Sequence, residues 1–193
     1  MKTSPKISYL VLFVVAAGLT FLAIRVLKPK PAASDSPQTI TESLPGVSEG
    51  ERVNLPELPG LTGESISLKG LRERYLLLAV FSTSCPKCAE DAGLWKDMLN
   101  EAQRKKVAFF AVSIDTDKER VKRFAQAHEF DTLPLLYDPQ NQAKKALKSE
   151  FVPQYLLLTS DGLVIGRWDG VSFADTQEKR AARIAQFFQR LES

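Results

Sequence analysis

Residues 75–88 read YLLLAVFSTSCPKC, an apolar run followed by two cysteines that lie three positions apart. The run at 75–81 carries no charge, which predicts a β-strand buried on both faces and therefore central in its sheet. A second apolar run, at 107–114, follows a helical pattern that begins at the cysteines. The stretch therefore predicts a β-α-β unit, with the cysteine pair where the first strand passes into the helix.

The position of the cysteine pair favours a reactive sulfur. If Cys85 is the N-cap, Pro86 occupies the first helical position, where its missing N–H group costs nothing and its fixed φ suits the helix. The Cys85 sulfur then faces unpaired N–H groups and the positive end of the helix dipole, and Lys87 adds a nearby cation. These features favour a thiolate, and Cys88 lies one turn further in, within reach of the same sulfur. The residues predict a redox-active dithiol.

Other uses of the two cysteines fit the sequence less well. A disulfide that closes a loop of about four residues would add only ~2 kcal/mol of stability, which disfavours a purely structural bond. A zinc site needs two further ligands, yet the chain has no other cysteine and one histidine, His128, which we interpret as a residue near a helix end. A c-type haem requires histidine directly after the second cysteine, where Ala89 stands. We therefore expect neither a cofactor nor a metal.

Alternating strand and helix patterns continue to the end of the chain. They predict, in order, a helix at 117–128, a short extended segment at 133–137, a short helix at 141–149, a β-hairpin at 154–168 and a last helix at 176–191. Pro134 suits an edge strand or a loop, and Asp161-Gly162 supplies the hairpin turn. Ile184, Phe187, Phe188 and Leu191 form one apolar stripe on the last helix. The pattern predicts an α/β fold with a central mixed β-sheet flanked by helices.

The N-terminal region has a different character. Residues 7–24 are uncharged and would span ~27 Å as a helix at about 1.5 Å per residue, so we predict a transmembrane anchor at 7–27 that follows a short basic N-terminus at 1–6. A cleaved signal peptide is the alternative, but the run exceeds the usual apolar segment of about 7–15 residues. Residues 28–49, rich in Pro, Ser and Thr, predict a flexible linker. The folded domain is expected at 50–193.

The charge of the folded part excludes one class of partner. After residue 50 the chain has 21 basic and 20 acidic residues, which are interspersed. A nucleic-acid surface would need an excess of positive charge on one face. We expect no nucleic-acid partner.

Two motifs together carry a family resemblance. Residues 75–88, followed by the stretch FVPQYLLLTSDG at 151–162, resemble the thioredoxin superfamily. Within it, the anchor, the lead-in at 58–71 and the helix at 141–149 resemble the TlpA/ResA/DsbE-like redoxins, over about residue 47 to the C-terminus. The resemblance implies a thioredoxin-like fold preceded by one transmembrane helix. It also implies thiol:disulfide exchange through the Cys-Pro-Lys-Cys centre, with a Cys85–Cys88 disulfide in the oxidised form.

The resemblance assigns roles to residues outside the cysteine pair. It implies a cis bond between Val152 and Pro153 that faces the cysteines, with the Val152 backbone pairing with an extended substrate beside Pro86 and Lys87. Asp91 falls where many ResA-like proteins carry an acidic residue, which would assist proton transfer to the buried thiol. Acidic residues in the first two helical turns are equally common for dipole reasons. Both interpretations of Asp91 stay open.

Three departures from the thioredoxin pattern argue against a general thioredoxin. Ser84 stands where thioredoxins often have Trp, Ala79 where Asp or Asn is usual, and Gly93 where Pro is frequent. The expected substrates are instead the thiols or disulfides of exported proteins, in cytochrome or other redox-protein maturation. We expect a single-pass protein of the cytoplasmic (inner) membrane, with its domain on the extracytoplasmic or periplasmic side and an electron donor or acceptor in the membrane.

Two alternative functions are less favoured. A peroxiredoxin-like peroxidase would carry Pro-x-x-x-Thr-x-x-Cys, but Leu78 and Ser82 occupy the Pro and Thr places before Cys85. A copper-binding assembly factor of the Sco type would carry Cys-x-x-x-Cys, and the spacing here is one residue short. The sequence therefore favours dithiol-disulfide exchange.

Overall fold

A five-stranded mixed sheet lies at the centre of the computed structural model, which describes residues 45–169 and 176–191. The strands of the described residues are β1 (Glu57–Pro59), β2 (Ser65–Ser67), β3 (Tyr75–Phe81), β4 (Val107–Ser113), β5 (Leu135–Tyr137), β6 (Gln154–Thr159) and β7 (Val164–Asp169). The main sheet has the order β5-β4-β3-β6-β7, and β1 pairs with β2 in a separate hairpin. Strands β3, β4 and β5 are parallel to one another, β6 pairs antiparallel with β3, and β7 pairs antiparallel with β6. The predicted central mixed sheet is confirmed.

Strand β3 occupies the middle of the sheet, as its apolar sequence predicts. It pairs with β4 on one side and with β6 on the other, so that Leu77 lies between Phe109 and Leu157. All of its residues after Tyr75 are buried. The carboxyl end of β3 therefore sits at the centre of one sheet edge, and the chain leaves it directly towards Cys85.

Four helices connect or follow the strands among the described residues. They are α1 (Pro86–Arg104), α2 (Lys118–Ala127), α3 (Gln142–Ala146) and α4 (Gln177–Gln189). The side chain of Asp117 caps the start of α2, and His128 caps its end, as the sequence suggested. Helix α3 is shorter than the predicted 141–149, because Lys148 adopts φ +50° and so cannot continue a right-handed helix.

Apolar side chains cover both faces of the sheet. One face packs against α1 and α2 and against Phe188 of α4, and the other packs against the short α3 and the segment at 47–68. Phe188 is buried and Leu191 packs against the same cluster. The side chains of Ile184 and Phe187, also predicted for this stripe, lie outside the described residues.

The last residues of the predicted linker, from Pro45 on, contact the sheet region. Val47 is fully buried, and its carbonyl accepts a 2.9 Å hydrogen bond from Arg167 Nη1. Arg167 Nη2 also donates to the Pro45 carbonyl oxygen at 3.3 Å, so this segment contacts the domain. The predicted N-terminus (1–6), the predicted anchor (7–27) and most of the linker lie outside the described residues. Within 45–169 and 176–191, no helix is long and apolar enough to cross a bilayer.

Candidate active site

Cys85 is the N-cap of α1. Its backbone is extended, with φ −91° and ψ 111°, and Pro86 follows at the start of the helix. The backbone N–H of Cys88 donates a 3.1 Å hydrogen bond to Cys85 Sγ. One of the amides at the helix start therefore points at this sulfur. The predicted capping arrangement is present.

The two cysteines differ in their exposure. Cys85 is partly exposed, whereas Cys88 is fully buried, and both are free thiols in this structure. Burial raises the pKa of the Cys88 thiol far above its ordinary value, and its hydrogen bond with Cys85 adds to the effect. Cys85 is therefore the sulfur that an external molecule meets, and Cys88 stays protonated behind it.

The loop before β6 lies against the Cys85 sulfur. The Val152–Pro153 peptide bond is cis, as the family resemblance implies. The Cys85 thiol donates to the Val152 carbonyl oxygen at 3.5 Å. Pro153 is buried, Val152 is half-buried, and the preceding residue, Phe151, is exposed. The structure thus brings the predicted cis-proline loop to the predicted attacking sulfur.

Lys87 has a carboxylate partner. Its ammonium group lies 2.6 Å from Glu90 Oε2, one turn along the same helix. The Lys87 side chain is 21% exposed, so this pair lies close to the surface beside Cys85. Lys87, the cation that the sequence predicts near the Cys85 sulfur, therefore forms an ion pair with Glu90.

Asp91 belongs to a buried polar group next to Cys88. The Tyr155 hydroxyl donates a 2.9 Å hydrogen bond to Asp91 Oδ2, and Trp95 Nε1 donates a 3.0 Å bond to the Tyr155 oxygen. Asp91 is fully buried, and its charge also raises the pKa of the Cys88 thiol. Ala79 pairs directly with Tyr155 across the two strands. The buried carboxylate thus lies on α1, whereas β3 carries Ala79 at the position opposite Tyr155.

A second polar cluster, not anticipated from the sequence, holds the turn that leads into Cys85. Asp115 Oδ2 accepts hydrogen bonds from the Thr83 amide at 2.7 Å and from Ser113 Oγ at 2.8 Å. Ser82 Oγ donates to Asp115 Oδ1 at 3.0 Å. The sequence contains a signal for this cluster, because polar residues follow both β3 and β4. The carboxyl ends of adjacent parallel strands lie side by side, so these residues are expected to meet.

The described residues offer no metal site. No three His, Cys, Asp or Glu side chains among them come together in an arrangement that would hold a metal ion. The site as described consists of a dithiol, a buried carboxylate and a cis-proline loop.

Comparisons with known proteins agree with this geometry. The sequence profile of the AhpC/TSA family matches residues 50–166, and no curated protein matches the chain. A protein of Chlorobium tepidum described as a candidate thiol:disulfide interchange protein DsbE is similar at TM-score 0.63 and 20% identity, over 75% of this chain and 99% of that one.

Two further solved structures have a similar fold. A candidate protein disulfide isomerase of Bacteroides thetaiotaomicron aligns with TM-score 0.61 and 21% identity, over 78% of this chain and 95% of the other. A thioredoxin-like protein in the oxidised form aligns with TM-score 0.53 and 26% identity, over 70% of this chain and 96% of the other. The predicted thioredoxin superfamily resemblance is confirmed. The chain belongs to the AhpC/TSA family and has a thioredoxin-like fold.

Proposed function

We propose that the protein is a thiol:disulfide oxidoreductase that exchanges dithiol and disulfide with exported proteins. One observation carries the proposal. A partly exposed Cys85 sulfur at a helix start accepts the Cys88 amide at 3.1 Å and lies 3.5 Å from the Val152 carbonyl, with the Cys88 thiol buried behind it. Dithiol-disulfide exchange needs an accessible thiolate that attacks the substrate disulfide and a second thiol that resolves the mixed disulfide.

The reaction follows from this arrangement. The Cys85 thiolate attacks one sulfur of a substrate disulfide, so that a mixed disulfide forms and one substrate thiolate leaves. Cys88 then loses its proton and attacks Cys85 Sγ, which breaks the mixed disulfide, releases the second substrate thiolate and forms the Cys85–Cys88 disulfide. The substrate gains two electrons and the enzyme loses two. A dithiol donor, for which we propose a membrane protein, restores the reduced enzyme, and the reverse sequence oxidises a substrate dithiol.

The substrate would bind as an extended segment beside the cis-proline loop. The Val152 carbonyl oxygen lies 3.5 Å from the Cys85 sulfur, and Pro86, which follows Cys85, is exposed. Phe151 is half exposed and is the large apolar residue that the described chain leaves in solvent. A peptide with an apolar residue near its cysteine would cover Phe151 while pairing with Val152.

Proton transfer at the buried thiol is the proposed role of Asp91. Cys88 is fully buried and cannot pass its proton directly to water, so the second step needs a base within the protein. Asp91 follows Cys88 by one helical turn and lies close enough for the two groups to interact electrostatically. The burial of Asp91 supports this role over a purely helix-capping one.

We further propose that residues 7–27 anchor the protein in the cytoplasmic membrane, with the domain on the extracytoplasmic side. The uncharged run and the linker composition support the anchor. A reporter that is active only after export, fused after Ser193, should be active, whereas a cytoplasmic reporter at the same place should not. The opposite result would invert the topology and make the substrates cytosolic. A role in cytochrome or other redox-protein maturation would fit an exported domain.

Membership of the AhpC/TSA family favours a second candidate, a thiol peroxidase. In that reaction a peroxide would oxidise Cys85 to a sulfenic acid, which Cys88 would resolve. The places of the peroxidase Pro and Thr are taken by Leu78, which is buried, and by Ser82, whose hydroxyl donates to Asp115. Consumption of hydrogen peroxide by the reduced protein, at a rate above that of a free thiol, would favour this second function.

Trapping of the mixed disulfide tests the main proposal. The full chain with Cys88→Ser should accumulate a stable mixed disulfide through Cys85 with a disulfide-bonded protein, since attack proceeds but resolution does not. Cys85→Ser should abolish both exchange and trapping. If Cys85→Ser traps partners and Cys88→Ser does not, the two roles are reversed and the argument from the helix end fails.

A further inference from the structure

A buried chain of hydrogen bonds runs to Asp91 from Trp95 through Tyr155. Trp95 Nε1 lies 3.0 Å from the Tyr155 oxygen, and that oxygen lies 2.9 Å from Asp91 Oδ2. All three side chains are buried. The indole N–H of tryptophan can only donate, so the Tyr155 oxygen must accept from it. The single hydroxyl proton of Tyr155 therefore donates to Asp91. The hydrogen bonds run in one direction, from Trp95 to Tyr155 to Asp91.

The packing around Tyr155 keeps its hydroxyl at this point. Its ring stacks on Trp168 with the ring centres 4.8 Å apart, and its backbone pairs with Ala79 of the central strand. Trp95 is held in turn by an edge contact with Phe81, at 4.8 Å between ring centres. Both donors of the chain thus stand on rigid, close-packed side chains, and neither is free to turn away from the carboxylate.

We propose that Tyr155 is a positioning residue of the resolving step, which holds the Asp91 carboxylate in place as the proton acceptor for Cys88. The inference rests on the proposed exchange reaction and on the proposed role of Asp91. In this step the Cys88 proton moves to Asp91, and the Cys88 sulfur attacks Cys85 Sγ. The Tyr155 proton stays on its own oxygen throughout, so Tyr155 acts through Asp91 and not on the reacting sulfurs.

The surroundings of Tyr155 keep its hydroxyl protonated, so that it can always donate a hydrogen bond to Asp91. Burial raises its pKa well above the ordinary value, and the nearby Asp91 charge raises it further. The phenol therefore stays protonated wherever the protein works, and it does not compete with Asp91 for the Cys88 proton. Its hydroxyl donates to Asp91 Oδ2 at 2.9 Å, which holds this carboxylate oxygen in place beside the buried Cys88 thiol.

Removal of the Tyr155 hydroxyl tests the proposal. In the full chain, Tyr155→Phe should leave mixed-disulfide formation by Cys85 within about twofold, yet slow the resolving step about tenfold. Single-turnover mixing with a disulfide-bonded protein, quenched in acid, measures the two steps separately. Tyr75→Phe, at the other end of β3 from the cysteines, is the matched control and should leave both rates unchanged. Equal slowing of both steps by Tyr155→Phe would overturn the proposal, because a general loss of packing affects both.

A double mutant separates positioning through Asp91 from other effects of Tyr155. Asp91→Asn alone should slow resolution, and Tyr155→Phe added to it should have no further effect, since the group that it holds is already removed. If the second substitution slows resolution by the same factor in both backgrounds, Tyr155 does not act through Asp91 and the proposal is wrong. The exchange reaction itself stands or falls separately, on whether Cys85→Ser abolishes the mixed disulfide.

Discussion

The Thr83 amide donates a 2.7 Å hydrogen bond to the Asp115 carboxylate, and this contact joins the segments that follow two neighbouring parallel strands. Thr83 lies two residues before Cys85, so the carboxylate fixes the turn from which the attacking sulfur emerges. Ser82 adds a side-chain bond to the same carboxylate at 3.0 Å. Asp115 thus ties the active-site turn to the sheet through several donors at once.

Replacement of Asp115 by Asn should destabilise the domain. An amide cannot accept from all the donors that the carboxylate satisfies, and bonds to a charged group contribute about 1.5–3 kcal/mol each. We expect a loss of about 1–3 kcal/mol in the free energy of unfolding, measured by urea denaturation at pH 7. The exposed Asp97, on the outer side of α1, gives the control Asp97→Asn, which should change stability by less than about 0.5 kcal/mol. Equal effects of the two substitutions would contradict the proposed tie.

The same carboxylate should make stability depend on acid pH. Burial alone would raise the pKa of Asp115, but the bonds from Thr83, Ser113 and Ser82 outweigh burial, and the folded-state pKa is lowered. Its stabilising contribution is therefore complete above the unfolded-state value of about 3.9, and it is lost as pH falls through the lower folded-state pKa. Unfolding curves from pH 7 to pH 2 should show the wild type losing its advantage over Asp115→Asn only below about pH 4. A constant difference across this range would assign the effect to shape alone.

The main features of the fold follow from local patterns in the sequence. The apolar run at 75–81 became the central strand because side chains on both of its faces are covered, and Asp161-Gly162 formed the hairpin turn. The capping of α1 by Cys85 was equally local, since Pro86 fixes the first helical residue. Patterns of this kind involve residues that are close together in the chain, which is why the sequence alone predicts them.

The unpredicted parts depend on contacts between distant residues. The Tyr155 hydroxyl meets Asp91 across 64 positions, and Ser82 meets Asp115 across 33. The contact of the segment near Val47 with the domain has a similar origin. Residues near Val47 have the composition of a linker, yet Arg167, 120 positions away, binds the Val47 carbonyl and draws the segment onto the sheet. No local pattern encodes such a partner.

Phe151 should matter for protein substrates and not for small ones. It is half exposed directly beside Val152, so an extended substrate would cover it while a small disulfide would not reach it. Phe151→Ser should raise the KM for a disulfide-bonded protein about tenfold, which is the cost of about 1.4 kcal/mol of lost apolar contact. The rate with a small aromatic disulfide should stay within about twofold. An equal loss with both substrates would show that Phe151 supports the fold of the loop and does not contact the substrate.

The last prediction concerns which thiol reacts with an external reagent in the folded, reduced protein. Cys85 is partly exposed at the start of α1, whereas Cys88 is fully buried and burial raises the pKa of its thiol. Both the access of the reagent and the fraction of thiolate therefore favour Cys85. At pH 7, iodoacetamide should modify Cys88→Ser at least about a hundredfold faster than Cys85→Ser. In 8 M urea both features are lost, and the two variants should react at nearly equal rates, which provides the control for reagent and protein concentration. Faster modification of Cys85→Ser in the folded state would mean that Cys88 is the accessible thiolate, and the order of attack and resolution would have to be reversed.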